Sequence, residues 1–322
     1  MTPTAQGEQE RPASASNEVA IVVPCYNAKP HILRALDSVR AQTYQNYSLY
    51  VIDDGSDDGT EAVLRGYAGR DRCVRQAHSG AAAARNLGIR ISTSPYIAFL
   101  DADDAWLPAK LERQVAFLER NPSVGLVCSA CEPGEGGASG RAFPETAPIQ
   151  GRLFARLVRE CFIFTPTVLV RRSCVEQAGL FNEQLAVSED FNLWLRIAAR
   201  WEIAVLPEAL AVRYSRPESL SLATDPEAAQ ASGIAALRHV AASCSGLSGA
   251  EIRALRRAIA ERTYRYGSSL LSRGDRANSR KAFSASLRAS PASWKTLVKY
   301  GLSFFPDPVL RTVLDAQGKA AA

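Results

Sequence analysis

Between residues 19 and 128 the chain alternates short apolar runs with stretches whose apolar residues recur at helical spacing, and this restricts it to few folds. Val19 to Val23 is apolar and ends at Pro24; His31 to Val39 then puts Ile32, Leu33, Leu36 and Val39 on one helical face. The pattern repeats: strands at Leu49 to Ile52, Tyr96 to Leu100 and Val124 to Cys128, helices at Thr60 to Tyr67, Ala81 to Ile91 and Leu107 to Leu118. Strands this short separated by helices predict right-handed βαβ units, hence an α/β fold with a mainly parallel sheet covered on both faces. Ligands on such sheets sit beyond the carboxyl ends of the strands, so the polar residues that follow each strand are the candidates for function.

Past residue 128 the signals change. Residues 131 to 150 are Gly- and Pro-rich and read as a long mobile loop, a candidate lid. A short helix at Leu153 to Arg159, a strand at Thr167 to Val170, a helix at Asp190 to Arg200 and paired strands at Ile203 to Leu206 and Leu210 to Tyr214 follow. From Asp225 onward nearly everything has helical periodicity, with a helical-hairpin unit between Gly274 and Pro291. A length of 322 residues suits two units. The expected organisation is a disordered leader at 1–18, an α/β domain at 19–222 and an all-helical C-terminal region at 223–322.

The net charge of +5 conceals a division. Residues 246–322 hold 14 basic and 5 acidic residues, leaving the rest mildly acidic. That profile argues against a nucleic-acid partner, while the tail suits peripheral contact with an anionic membrane. Trp294, Leu297, Val298, Tyr300, Leu302, Phe304 and Phe305, interleaved with Lys295 and Lys299, form either a docked terminal helix or a lipid-facing one. Seven Cys without framework spacing suit a reducing compartment, and no apolar run reaches the roughly 18 to 20 residues of a membrane span. The expected location is cytoplasmic, either soluble or peripheral at the inner face of the cell membrane.

Carboxylates gather where ligands should bind. The strand ending at Ile52 runs into Asp53-Asp54-Gly55-Ser56. The residues from Gly55 to Thr60 suit a turn and helix cap, whereas two adjacent carboxylates leaving a buried strand repel each other and suit a base or ribose ligand. The next such strand ends in Asp101-Ala102-Asp103-Asp104. Alternation along an extended backbone puts Asp101 and Asp103 on one side, placed to share a hard cation such as Mg²⁺ or Mn²⁺ with diphosphate oxygens, while Asp104 suits a helix cap. Ser188-Glu189-Asp190 opens an amphipathic helix, where helix capping alone is a fair competitor. Cys128 and Cys131 have metal or redox spacing but end a strand without partners, His78 suits a surface loop better than a pocket wall, and the Gly-rich stretch 134–140 lacks the helix and Lys of a phosphate loop.

Taken in order, Val22-Val23-Pro24-Cys25-Tyr26-Asn27, Val51 to Ser56, Gly80 with Arg85 to Ile89, Phe99 to Asp104, and Glu189-Asp190 ahead of Trp194 resemble the family 2 glycosyltransferases across roughly residues 18 to 222. The resemblance implies a GT-A fold and inverting transfer of a sugar from a nucleotide-diphosphate donor, a UDP- or GDP-sugar, to a glycan or lipid-linked acceptor hydroxyl, with Mg²⁺ or Mn²⁺ as cofactor, in surface polysaccharide or glycoconjugate assembly. It implies donor-site roles for Pro24, Tyr26, Asn27, Asp53, Asp54, Arg85, Asp101, Asp103, Asp104 and Glu189, metal ligation by Asp101 and Asp103, and Asp190 as the catalytic base. Members often carry a His before a Pro after the last strand pair; Arg216 stands there, able to pair with diphosphate oxygens but not to ligate a cation. Two alternatives stay open: a catalytically silent nucleotide-sugar-binding partner subunit, and a sugar-nucleotide pyrophosphorylase.

Overall fold

The computed structural model describes residues 17–67, 72–134, 147–214 and 224–305. The expected leader up to residue 16, most of the expected loop, and Arg216 lie outside the described residues. The chain runs β1 (Val19–Cys25), α1 (Ile32–Arg40), β2 (Tyr47–Asp53), α2 (Thr60–Tyr67), β3 (Arg72–Arg75), α3 (Ala81–Ile91), β4 (Tyr96–Phe99), β5 (Ala105–Trp106), α4 (Lys110–Arg120) and β6 (Val124–Pro133). It continues through β7 (Ile149–Gly151), α5 (Phe154–Arg159), β8 (Leu169–Arg171), α6 (Arg172–Ala178), α7 (Glu189–Ala198) and β9 (Glu202–Arg213). Four helices follow: α8 (Pro226–Ser243), α9 (Gly249–Ser272), α10 (Arg276–Ala289) and α11 (Trp294–Leu302).

The strands form one sheet in the order β3-β2-β1-β4-β8-β6-β9-β5, with β7 pairing to β9. β3, β2, β1 and β4 are parallel, as the βαβ pattern predicts. Beyond β4 the sheet is mixed, because β8 runs antiparallel to both β4 and β6. β1 is buried along its whole length and alternates between two cores: Ala20 and Val22 face one layer, Val19, Ile21 and Val23 the other. The second layer is built from α1, α2 and α4 through Ile32, Leu36, Leu64, Leu111 and Val115. The first takes α3, α5, α6 and α7, and then Leu237 and Val240 of α8 and Leu255 and Ala258 of α9. Those two helices therefore share the core of the sheet, whereas α10 and α11 gather around a small cluster of Leu271 and Phe283.

Three expectations need correction. Ile203 to Leu206 and Leu210 to Tyr214 are not two strands: β9 is one strand with a break in register, where Ser129 faces Leu206 and Ala130 faces Ala209. Pro207 and Glu208 bulge out there, which is where a sheet tolerates a residue without an amide hydrogen. The expected loop from residue 131 begins later, since β6 runs on through Pro133, and it ends before β7. Gly274 to Pro291 holds a single helix, α10, whose hairpin partner is α9. Of the apolar tail residues, Tyr300 and Leu302 pack beside Leu271 and Phe283, while Trp294, Leu297, Val298, Phe304 and Phe305 stay exposed.

Candidate functional site

The site is assembled where β1, β2 and β4 end. Tyr26, just past β1, is exposed and stacks on His78 with ring centroids 4.1 Å apart. Asn27 adopts φ +48°, a left-handed conformation that Asn tolerates better than most residues. It donates its amide hydrogen to Ser56 Oγ (3.0 Å) and accepts one from Asp57 on Oδ1 (3.0 Å), locking the two strand-end loops together. Pro24 lies within β1 opposite Ile52, so it shapes the strand end from inside the sheet.

Asp53 and Asp54 are both buried, and each has its own partners, so their adjacency is stable without a ligand. Asp53 Oδ1 accepts from the Ser56 amide (3.0 Å) and hydroxyl (2.6 Å), while its buried Oδ2 makes no hydrogen bond and lies 3.6 Å from Arg75. Asp54 accepts from Gln76 Nε2 (2.6 Å) and from the amides of Ser79 (2.9 Å) and Gly80 (2.8 Å), fixing the loop that leads into α3; His78 Nδ1 stands 2.9 Å away.

The centre of the site is Arg85 on α3. Its side chain is only 6% exposed and reaches Asp101 Oδ1 and Glu189 Oε1, each at 2.7 Å. One buried guanidinium thus ties the end of β4 to the first turn of α7, and both its terminal nitrogens are committed to carboxylates. Burial opposes its charge, yet Asp101 and Glu189 more than offset that and hold its pKa above the usual value. The carboxylates remain short of positive charge. Asp101 is pushed upward by burial and by Asp103, Glu189 by burial and by Asp190. Asp104 rises to about 8 through burial and the charges of Asp101 and Asp103.

Asp190 follows Glu189 and is partly exposed. Its Oδ2 accepts from Thr165 Oγ1 (3.0 Å) and its Oδ1 from the Phe191 amide (2.6 Å), so the carboxylate is aimed rather than free to rotate. Ser188 before it holds φ +67°, backbone strain of the kind that collects at functional sites. Across the site, Asp104 accepts from the Tyr214 amide (2.9 Å), and Arg34 on α1 stacks on the Tyr214 ring (3.5 Å) while donating to the Asp103 carbonyl (2.5 Å).

Arg85 therefore joins Asp101, in the turn that carries Asp103 and Asp104, to Glu189, next to Asp190, while Tyr26, Asn27, Asp53 and Asp54 come together where β1 and β2 end. Arg34, Thr165 and Tyr214 were not legible as site residues, because each carries only an ordinary helix, turn or strand-end signature. Among the described residues no three His, Cys, Asp or Glu side chains already form a metal cage. Asp101 and Asp103 still offer the oxygen-only donors that suit a hard cation, and Asp101, pushed up by burial and by Asp103, is short of positive charge.

The glycosyl transferase family 2 model matches residues 20–177. A UDP-Glc:alpha-D-GlcNAc-diphosphoundecaprenol beta-1,3-glucosyltransferase of Escherichia coli, WfgD, is 33% identical over 181 residues, covering 56% of this chain and 69% of that protein. The chain belongs to glycosyl transferase family 2. An uncharacterized glycosyltransferase of Rickettsia felis is 33% identical over 196 residues, 60% of this chain but only 32% of its own length. The chain thus spans about a third of that relative. In shape it resembles Staphylococcus aureus TarS 1-349 in complex with UDP-GlcNAc, with a TM-score of 0.70 at 20% identity over 84% of this chain and 81% of that one. It also resembles the mannosyltransferase PcManGT of Pyrobaculum calidifontis in complex with GDP-Man and Mn²⁺, with a TM-score of 0.58 at 19% identity over 94% and 84%. These likenesses show the GT-A fold. No helix among the described residues is long and apolar enough to cross a membrane.

Proposed function

We propose that this chain is an inverting glycosyltransferase that moves a sugar from a nucleotide diphosphate to an acceptor hydroxyl, in the assembly of a surface polysaccharide or glycoconjugate. The observation that carries the proposal is the Arg85 bridge, which sets the Asp101 to Asp104 turn beside Asp190. Inverting transfer is a single displacement: the acceptor hydroxyl loses its proton on one face of the sugar while the nucleotide diphosphate departs from the other. Asp190 takes that proton, aimed by Thr165 and by the Phe191 amide. Pro24, Tyr26, Asn27, Asp53 and Asp54 shape the base and ribose cleft.

Asp101 and Asp103 would hold Mg²⁺ or Mn²⁺, which neutralises charge on the departing diphosphate when bound. Arg85 acts by positioning Asp101 and Glu189, since both its terminal nitrogens are taken. Asp104 anchors Tyr214 at the edge of the segment that contains Arg216. A lipid-linked acceptor, as named for the Escherichia coli relative, agrees with a chain that meets an anionic membrane through the exposed Trp294, Leu297, Val298, Phe304 and Phe305 beside Lys295 and Lys299. Residues 19–222 form the transferase unit in this account, and of residues 223–322, whose α8 and α9 pack into its core, the exposed apolar residues from Trp294 onward face the membrane.

A thermal-shift panel of UDP- and GDP-sugars with and without Mn²⁺ tests the proposal. A ligand at a hundred times its Kd should contribute about 2.7 kcal/mol. The prediction is a rise in Tm for one donor class that grows with Mn²⁺; no rise with any nucleotide sugar would refute it.

A further inference from the structure

A cavity of about 700 Å³ lies among α8, α9 and α10, away from every residue of the donor site. That is within the roughly 300 to 1,000 Å³ usual for small-molecule sites. Its lining is graded. The buried members are Ile234, Thr263 and Ala282, so these form its floor, while the exposed Arg238, Lys281 and Arg288 stand at its mouth.

Two observations point to a ligand. The Thr263 hydroxyl is buried and has no hydrogen-bond partner, although buried polar groups are nearly always paired. Among the described residues, none of the three cations at the mouth is in an ion pair. Lys281 donates to Asn278 (3.3 Å), Arg288 to the Ser284 hydroxyl (3.0 Å), and the neighbouring acid, Asp275, is taken up in capping α10. α10 itself carries Arg276, Arg280, Lys281 and Arg288 and no acidic residue.

The helices that line the cavity also touch the residues on either side of the proposed base. Ser232 of α8 donates to the Val187 carbonyl, and Arg262 of α9 stacks on the Phe191 ring at 4.9 Å, while Ile234 and Thr263, one residue or two away, line the cavity.

We propose that this cavity is a second binding site, distinct from the donor cleft, for a glycosyl phosphate. The phosphate pairs with Arg238, Lys281 and Arg288, where the guanidinium fork suits phosphate oxygens. The sugar, which presents both C–H faces and hydroxyls, lies against Ile234 and Tyr266 and accepts the Thr263 hydrogen bond. A purely apolar tail would leave that hydroxyl unpaired, and a bare phosphate would leave the floor unfilled.

Calorimetry with glucose 1-phosphate on the full chain, saturated with UDP and Mn²⁺ so that the donor cleft is filled, tests the proposal. The expected result is one saturable site, with inorganic phosphate binding at least tenfold more weakly and glucose giving no heat. The double variant Lys281→Gln/Arg288→Gln should bind about tenfold more weakly or worse, because each lost contact is charge-assisted. Thr263→Val, close in shape, should weaken binding severalfold without lowering Tm, while UDP affinity stays unchanged in both variants. A lipid diphosphate sugar that binds more tightly than glucose 1-phosphate would identify the carrier-linked form as the source, and equal affinity the soluble one. Absence of saturation, displacement by UDP, equal affinity for inorganic phosphate, or indifference to all three substitutions would overturn the proposal. UDP affinity, read in the same samples, separates that failure from a failure of the transferase assignment.

Discussion

Arg85→Met should be among the most destabilising single changes in this protein, and the structure sets the size. The guanidinium makes two charge-assisted bonds of 2.7 Å, to Asp101 and to Glu189, in surroundings where its side chain is 6% exposed. Removing one partner of a buried ion pair costs about 3 to 5 kcal/mol because the remaining charge is stranded. Here two carboxylates are stranded, and the loss is limited only by their taking up protons. Both already have folded pKa values raised above the unfolded ones, and the loss of Arg85 raises them further. A carboxyl with a raised pKa contributes stability that is full below its unfolded pKa and is lost as pH rises through its folded pKa. The deficit of the variant should therefore be large at pH 7.5 and clearly smaller at pH 5. Urea unfolding followed by circular dichroism at both pH values reads it directly, with Arg85→Met/Glu189→Gln recovering part of the loss. A deficit under about 1 kcal/mol at pH 7.5, or one that does not change with pH, would refute the bridge as the organising contact.

Gly88→Ala should cost about 1 to 3 kcal/mol in the same assay, because the new Cβ would sit 2.4 Å from the Cγ1 of the buried Val22, where α3 crosses β1. Lys110 is fully buried and burial lowers its pKa, so unfolding takes up a proton wherever the pH lies between its folded and its ordinary value. That penalty fades as pH approaches the ordinary lysine range, so the stability of the parent relative to Lys110→Met should rise between pH 7 and 10; a constant difference would contradict it. Asp104, raised to about 8, and Asp101, raised by burial, should make the metal-free protein lose stability as pH climbs from 5 toward 8. Mn²⁺ with UDP should reverse that loss and release protons, seen as binding heats that depend on the ionisation enthalpy of the buffer.

Much of this was visible in the sequence because the strong signals are local. The buried β1 reads as an unbroken apolar run, and α2 and α3 fall on Thr60 to Tyr67 and Ala81 to Ile91 as their periodicity predicts. β3 was missed because Arg72 to Arg75 is a polar edge strand, and β5 because two residues carry no period. The bulge at Pro207 and Glu208 imitates a turn between strands. The carboxylates at the strand ends were legible, but not what holds them: the link from Arg85 to Glu189 spans 104 positions, and no local pattern encodes a contact across that distance. Nor could adjacency reveal that Asp53 and Asp54 each stabilise a different loop.

The central claim is that Asp190 removes the acceptor proton at a site that binds a nucleotide-diphosphate sugar. The most direct test is release of nucleoside diphosphate from the donor found by the panel, with water or an acceptor present, in the parent and in Asp190→Asn. The account predicts a fall in turnover of about 10² to 10⁴ with donor affinity nearly unchanged. Turnover equal to the parent, with donor binding intact, would contradict it.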